Sequence, residues 1–321
     1  MTFTDALQLL PITLTDGLVL GLLYAVIALG YTMVYGVLGL INFAHAEIFM
    51  VGGIVGIEVL IFGTSNTGLH PMAQLMIAIV AAMLTSGLLA LATERIAYRP
   101  LRLRGAPRLV PLITAIGVSL FLQDAVRFIE SLFGNYIRPF PGFDFFGQGV
   151  ELTETVTVSY KFFTVVIVAV VMLAGLTYLV NYTRLGRAIR AVAQDPKAAA
   201  LMGIDVNGMV ARTFLIGGAL AGVAGVLWGL QFGKMDPFSG FIPGIKAFTA
   251  AVLGGIGNIP GAMLGGVLLG LIEVLAGTYL PLLTNDAIGN EYKDIFAFSV
   301  LILILIFRPS GLLGRPTVEK V

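Results

Sequence analysis

Few side chains in this 321-residue sequence are of the kinds that make and break bonds, and they are not spaced to do so. There are two histidines, His45 and His70, and no cysteine. That excludes a thiolate metal site, a disulfide and a cysteine nucleophile. Neither histidine has a second ligand at useful spacing, so neither a metal centre nor a Ser-His hydrolase is expected. A phosphate-cradling loop needs GxxxxGK followed by Ser or Thr, and the string does not occur. The run Gly254-Gly255-Ile256-Gly257-Asn258-Ile259-Pro260-Gly261 superficially resembles a dinucleotide loop, but its third glycine is displaced and no βαβ pattern surrounds it. The sequon Asn181-Tyr182-Thr183 falls at the end of an apolar span and reads as chance.

More informative are ionisable residues inside apolar segments, each costly there unless paired or facing water. Glu47, Glu58, Asp124, Lys246 and Glu273 qualify. Lys246 is open to three readings: a salt bridge to an acidic neighbour such as Glu47 or Glu273, a direct place in a translocation path, or a misplaced span boundary. Asn42-Phe43-Ala44-His45-Ala46-Glu47 is a polar interruption between two apolar runs, either a simple turn or an unwound break lining a cavity. Broken, Gly-rich segments in both halves of a transporter are where substrate sites tend to lie, and Gly52-Gly53 and Gly254-Gly255 faintly suggest such a repeat. The expected path residues are Asn42, Phe43, His45, Glu47, Lys246, Gly254, Gly255, Gly257 and Asn258.

A third feature is a short helix complete with its stops. In Asp195-Pro196-Lys197-Ala198-Ala199-Ala200-Leu201-Met202-Gly203, Asp195 suits the N-cap, Pro196 the first helical position and Gly203 the C-terminal stop. Leu185 to Gln194, with Arg187 and Arg190, is helix-prone too. A capped helix displaying Ala, Leu and Met in a basic loop is either a docking knob or an element lying back on the bundle.

These features must be positioned by membrane helices. The chain is 58% hydrophobic and holds 19 Lys and Arg against 18 Asp and Glu. That is 12% charged, where globular domains average about 25%. A net charge of +1 excludes nucleic acid as the main partner. Forty glycines with a mean hydropathy of +0.96 suit packed membrane helices. A span needs ~20 apolar residues. Such stretches run near 17–40, 43–62, 72–93, 110–123, 162–180, 213–232, 261–280 and 295–307, and 241–257 is a shorter, Gly-rich ninth interrupted by Lys246. The fold expected is an all-α polytopic membrane helix bundle of about 8–10 transmembrane helices, one domain over residues 1–321, with broken or re-entrant segments. Met1–Gly17 has two Asp and no Lys or Arg, unlike a secretory signal. Gly218/Gly222, Gly225/Gly229, Gly229/Gly233, Gly257/Gly261/Gly265 and Gly266/Gly270, all four apart, predict close helix packing, or one stripe lining a path.

Basic residues sort the loops. Arg95, Arg99, Arg102, Arg104 and Arg108 follow the third span; Arg184, Arg187, Arg190, Lys197 and Arg212 follow the fifth; Arg308, Arg315 and Lys320 occupy the tail. Thirteen of the 19 thus fall on alternate loops, whereas the other long loops carry Asp144, Glu151, Glu154, Asp286 and Glu291. Nine spans with the N-terminus outside and the tail inside fit this alternation.

Tyr31-Thr32-Met33-Val34-Tyr35-Gly36, then Ile41 to Glu47, resembles the first shared stretch of branched-chain amino-acid ABC transporter permeases. Lys246 to Ala262 and the tail Gly314 to Val321 do the same, and the likeness through most of the chain is to the H-type (LivH family) subunit rather than its M-type partner. Importer permeases of this class dock on the ATPase through a Glu-Ala-Ala, three residues, Gly pattern. Lys197-Ala198-Ala199, then Ala200-Leu201-Met202, then Gly203 keeps that spacing, with Lys197 in place of the glutamate and the downstream Ile and Leu-Pro absent. The resemblance implies an inner-membrane, multi-pass subunit of a bacterium importing branched-chain amino acids, not itself an enzyme. Its cytoplasmic coupling loop, 181–212, would use Arg187, Arg190, Asp195, Pro196, Lys197, Ala198, Ala199 and Gly203. The implied partners are a paralogous or identical permease, two ABC ATPase subunits that hold the ATP and Mg, and a periplasmic or extracellular substrate-binding protein; no cofactor binds this chain. A permease of the same family for urea or short amides, and an ion-coupled secondary transporter, are the rival expectations.

Overall fold

The computed structural model describes residues 3–64, 67–107, 109–134, 136–153, 156–284, 287 and 289–314. Arg108, Glu154, Asp286, Arg315, Lys320 and the tail beyond Gly314 lie outside the described residues. In chain order the elements are α1 (Phe3–Leu38), α2 (Ala44–Glu58), α3 (Pro71–Thr93), α4 (Arg99–Leu103), α5 (Leu109–Leu132), β1 (Arg138–Pro139), α6 (Asp144–Gly147), β2 (Gly149–Thr153) and β3 (Val156–Ser159). Then come α7 (Tyr160–Tyr182), α8 (Arg184–Gln194), α9 (Pro196–Leu201), α10 (Val206–Phe232), β4 (Lys234–Met235), α11 (Phe241–Gly254), α12 (Ile259–Leu283) and α13 (Lys293–Phe307).

Among the described residues, seven helices are long and apolar enough to cross a membrane: α1, α2, α3 running on to Leu103, α5, α7, α10 and α12. The remaining two apolar stretches form α11, of 14 residues, and α13, of 15. At 1.5 Å per residue each is about 21–23 Å long, short of the ~30 Å hydrocarbon core. The expected broken segment is therefore α11, reached through the non-helical residues 233–240.

Composition and caps explain the boundaries. The α10 N-terminus is capped by Asp205, whose Oδ1 accepts from the Gly208 N–H at 3.0 Å, and the helix ends at Gly233 in the left-handed region. The α12 N-terminus is capped by Asn258 Oδ1, which accepts from the Gly261 N–H at 3.1 Å. Two spans are prolonged by π-helical turns, Val59–Thr64 after α2 and Glu94–Tyr98 after α3. These turns carry Arg95, Arg99 and Arg102 onto the extension of α3, and Arg212 sits inside α10, so these four basic residues, assigned to loops, belong to the spanning helices.

Buried α1 and α10 form the centre. The first packs along α12 and the second along α3 and α2, while α5 and α7 leave most of their apolar side chains at least partly exposed, as lipid-facing helices do. Glycine stripes set the closeness. Gly266 lies against Ala25, where an added Cβ would meet the backbone at 2.5 Å, and Gly21 lies against Val267, at 2.7 Å. Gly218 and Gly222 meet α3, and Gly225 meets Gly53. The packing reading of the stripes holds, except that Gly233 and Gly257 lie in turns.

One end of the bundle collects the basic residues. There Tyr98 donates to Asn42 Oδ1 at 2.7 Å, and Arg102 donates to Glu94 at 2.9 Å and to Asn207 at 2.8 Å. The opposite end carries two antiparallel ribbons the all-α expectation did not include. The β1–β4 ribbon pairs Arg138 with Met235, and β2–β3 pairs Val150 with Val158.

Candidate functional site

The basic end carries α8 and α9. Thr183 caps α8 by accepting from the Gly186 N–H at 3.0 Å, and the close approach of Gly186 to the Leu179 and Val180 carbonyls folds α8 back on α7. Ile189 and Val192 bury one face of α8; Arg187 and Arg190 sit on the other, and Arg190 donates to the Val180 carbonyl. Asp195 then accepts from the Lys197 and Ala198 N–H groups at 2.8 and 3.0 Å, with Pro196 in the first helical position. Gly203, at φ +81°, ends the turn in a conformation that L side chains rarely adopt. Every local expectation for 195–203 is therefore met. Ala199 faces inward, while Leu201 is 89% and Met202 82% exposed, an apolar tip on an otherwise polar loop.

Asn42, Phe43, His45 and Glu47 stand together at the break between α1 and α2. Asn42 is buried and held by Tyr98, and Phe43 meets the Phe248 ring at 6.0 Å. The His45 ring packs edge-on to Tyr31 at 4.6 Å, and its Nε2 has no hydrogen-bond partner. Glu47 Oε1 accepts from Ser119 at 3.3 Å, and Oε2 has no partner. The facing surface of α11 is Gly244 and Phe248, with Gly240 just before the helix, a spacing of four that presents one side to α2.

Lys246 points away from that side. Its Nζ lies 2.8 Å from Glu273 Oε1 on α12 and 2.7 Å from Asp294 Oδ1 on α13, over the Tyr24 ring. Tyr24 donates to Glu273 Oε2 at 2.9 Å, and Lys293 approaches Glu273 at 3.7 Å. Two cations and two carboxylates thus balance where α11 and α13 begin. Of the two partners expected for Lys246, Glu273 is correct and Glu47 is not, because they lie on opposite sides of α11. Asp124, singled out inside an apolar segment, is an exposed residue of α5 with Arg127 at 3.9 Å, since α5 turns that face outward.

Gly254 ends α11, and Gly255, Gly257 and Asn258 form the turn after it, at the basic end. Residues 311–314 return to this turn: the Leu312 and Leu313 N–H groups donate to the Leu253 and Gly254 carbonyls at 2.8 and 3.0 Å, satisfying helix-end acceptors. Asn258 Nδ2 donates to the Leu313 carbonyl at 2.7 Å. Gly257 and Asn258 line a cavity of about 900 Å³ with Gly36, Arg190 and Pro196, so the turn after α11 and the α8–α9 unit share one space. Asn42, Phe43, His45, Glu47 and Lys246 do not line it. The expected path residues therefore fall into three groups rather than one.

The opposite end holds a second cavity, of about 520 Å³, between α2 and α5. Its polar residues are Glu58, Glu130 and Arg138. Only Glu58 was singled out in the sequence. Arg138 gives no sequence signal, because β1 alone brings it there.

Long apolar helices, glycine-tight packing and a helix too short to span, entered through non-helical chain, define a multi-pass membrane protein of transporter type. The sequence profile of the family described as branched-chain amino acid transport system, permease component, matches residues 13–305, and the chain belongs to that family. It is 47% identical over 310 residues to the high-affinity branched-chain amino acid transport system permease protein BraD of Pseudomonas aeruginosa, covering 96% of this chain and 97% of that one. It is 46% identical over 312 residues to the corresponding LivH of Escherichia coli (strain K12), covering 95% and 96%. Likeness to LivM of that organism is lower, 26% over 305 residues, covering 92% of this chain and 68% of LivM, in keeping with an H-type subunit. No solved structure gives a significant match.

Proposed function

We propose that this chain is the H-type permease subunit of an ATP-driven importer of branched-chain amino acids in a bacterial inner membrane. The observation that carries the reading is α9, a doubly bonded cap and helix presenting Leu201 and Met202 at the basic end of a chain of this family. By the positive-inside bias the basic end faces the cytoplasm. There Arg187, Arg190 and Asp195–Gly203 meet one of two separate ABC ATPase subunits, which hold the ATP and Mg; this chain hydrolyses nothing. A second permease, paralogous or identical, completes the membrane unit, and an external binding protein delivers cargo to the ribbon end.

ATPase movement is passed through α8 and α9 to the shared cavity and to the end of α11, shifting the bundle between outward- and inward-facing states. The break at 39–43, just before His45 and Glu47 on α2, and the short helix α11 are the parts of the path suited to rearrange, since neither is locked into a full-length helix. Of the membrane carboxylates and lysine that an ion-coupled mechanism would use, Lys246, Glu273 and Asp294 are engaged with one another, whereas Glu47 is bonded only by Ser119. The high-identity relatives are named for branched-chain amino acids, which favours that cargo over urea or amides. The test replaces Asp195–Gly203 with a flexible Gly/Ser linker in the reconstituted complex. ATP-driven uptake is lost if the reading is right; uptake at the full rate overturns it.

A further inference from the structure

The cavity between α2 and α5 is walled by Val51, Ile54 and Val55 on one side and Val126 and Ile129 on the other, with Phe62 and Phe133 also lining it. Its volume, about 520 Å³, lies within the roughly 300–1,000 Å³ of small-molecule pockets. Its polar groups are gathered around Arg138. Arg138 Nε lies 2.6 Å from Glu130 Oε2 and 2.8 Å from Glu58 Oε1. Nε carries one hydrogen, and Glu130 takes it. Glu58 Oε1 is consequently buried with no hydrogen-bond partner, although it is within ion-pair distance. Among the described residues, the two terminal amino groups of the Arg138 guanidinium make no hydrogen bond.

A structural bridge would close these valences, and one carboxylate would suffice for it. Here the cluster has an acid in excess, an idle acceptor and an idle donor fork, all beside an apolar wall. We infer that this pocket is an entry subsite for a zwitterionic α-amino acid with an aliphatic side chain. The ammonium bonds the Glu58 carboxylate at its exposed oxygen, Oε2, and neutralises the surplus charge that Oε1 shares. The carboxylate takes the free edge of the Arg138 guanidinium, whose planar fork suits it. The side chain lies between Val55 and Val126. Urea and simple amides lack both charges, and a fatty acid of the same shape lacks the ammonium that Glu58 needs. The inference rests on the importer reading above and gives that reading a place where this chain itself selects cargo, at the end facing the binding protein.

The absence of cysteine allows a direct test. Val126→Cys is introduced into the otherwise native complex, and its alkylation by a water-soluble maleimide is timed without the binding protein. Leucine slows labelling several-fold, whereas urea, lysine and 4-methylpentanoate do not. In Glu58→Gln with Val126→Cys, leucine protection weakens by roughly tenfold or more, the loss of one charge-assisted hydrogen bond. Absence of leucine protection in the Val126→Cys complex, where Glu58 is native, overturns the inference whatever the folding of the Glu58→Gln form. So does equal protection by 4-methylpentanoate, which would mark a merely apolar crevice. Uptake of leucine by the wild-type complex is measured in parallel. Its failure defeats the importer reading, whereas normal uptake with no protection defeats the pocket alone.

Discussion

Lys246→Met perturbs the structure where α11, α12 and α13 meet. The substitution deletes two ion pairs while keeping most of the apolar stem. Its two carboxylate partners fare differently. Asp294, with its side chain 40% exposed, regains water, but that of Glu273 is 4% exposed and is left with the Tyr24 hydroxyl and Lys293 at 3.7 Å. Stranding one charge of a buried pair costs about 3–5 kcal/mol, and the surviving Tyr24 and Lys293 place this variant near the lower figure, at ~3 kcal/mol. Adding Glu273→Gln removes the stranded charge, so the double variant should regain about half or more of the loss; the coupling, that regain plus the cost of Glu273→Gln alone, is then about 1.5 kcal/mol or more. The assay is reversible unfolding of the purified protein in mixed micelles, with the two single variants and the double completing the cycle. A loss below about 0.5 kcal/mol for Lys246→Met, or simple additivity in the double, would refute the assignment of this cluster as the clasp joining the two short helices.

Two further outcomes follow from the geometry. Asp195→Ala removes both bonds that cap α9 and should cost that helix about 1 kcal/mol, seen as faster hydrogen exchange at the Lys197 and Ala198 amides and a weaker response of the ATPase to loaded binding protein. Gly266→Ala forces a Cβ onto the Ala25 backbone and should destabilise by about 1–3 kcal/mol, whereas Gly175→Ala on α7, where nothing lies within 4 Å, should stabilise by up to about 1 kcal/mol in the same unfolding assay.

The parts of this molecule that were readable in the sequence are those decided by neighbours in the chain. Length and apolarity place all nine hydrophobic helices, and Asp195, Pro196 and Gly203 specify α9 residue by residue. What escaped depends on contacts between distant segments. Glu58, Glu130 and Arg138 converge only because the β1–β4 ribbon docks Arg138 over the ends of α2 and α5. Lys246 was recognisable as needing an acid, but choosing Glu273 over Glu47 requires knowing which side of α11 faces α12. Asp294 went unseen because it precedes an apolar run and looks like an ordinary helix start. The lengths of α3 and α5 were underestimated because Arg95 and Arg99 read as loop and because the apolar run near 110–123 stops short of the charges Asp124 and Arg127. In the structure, both helices continue through these charges.

The central claim, that this chain imports branched-chain amino acids only as part of an ATP-driven complex, is tested most directly by uptake of labelled leucine into proteoliposomes. The chain assembled with its partner permease, ATPases and binding protein should accumulate leucine when ATP is supplied on the side of Arg187 and Arg190, and not otherwise. Accumulation of leucine by the chain alone, driven by an imposed ion gradient without ATP, would contradict the account.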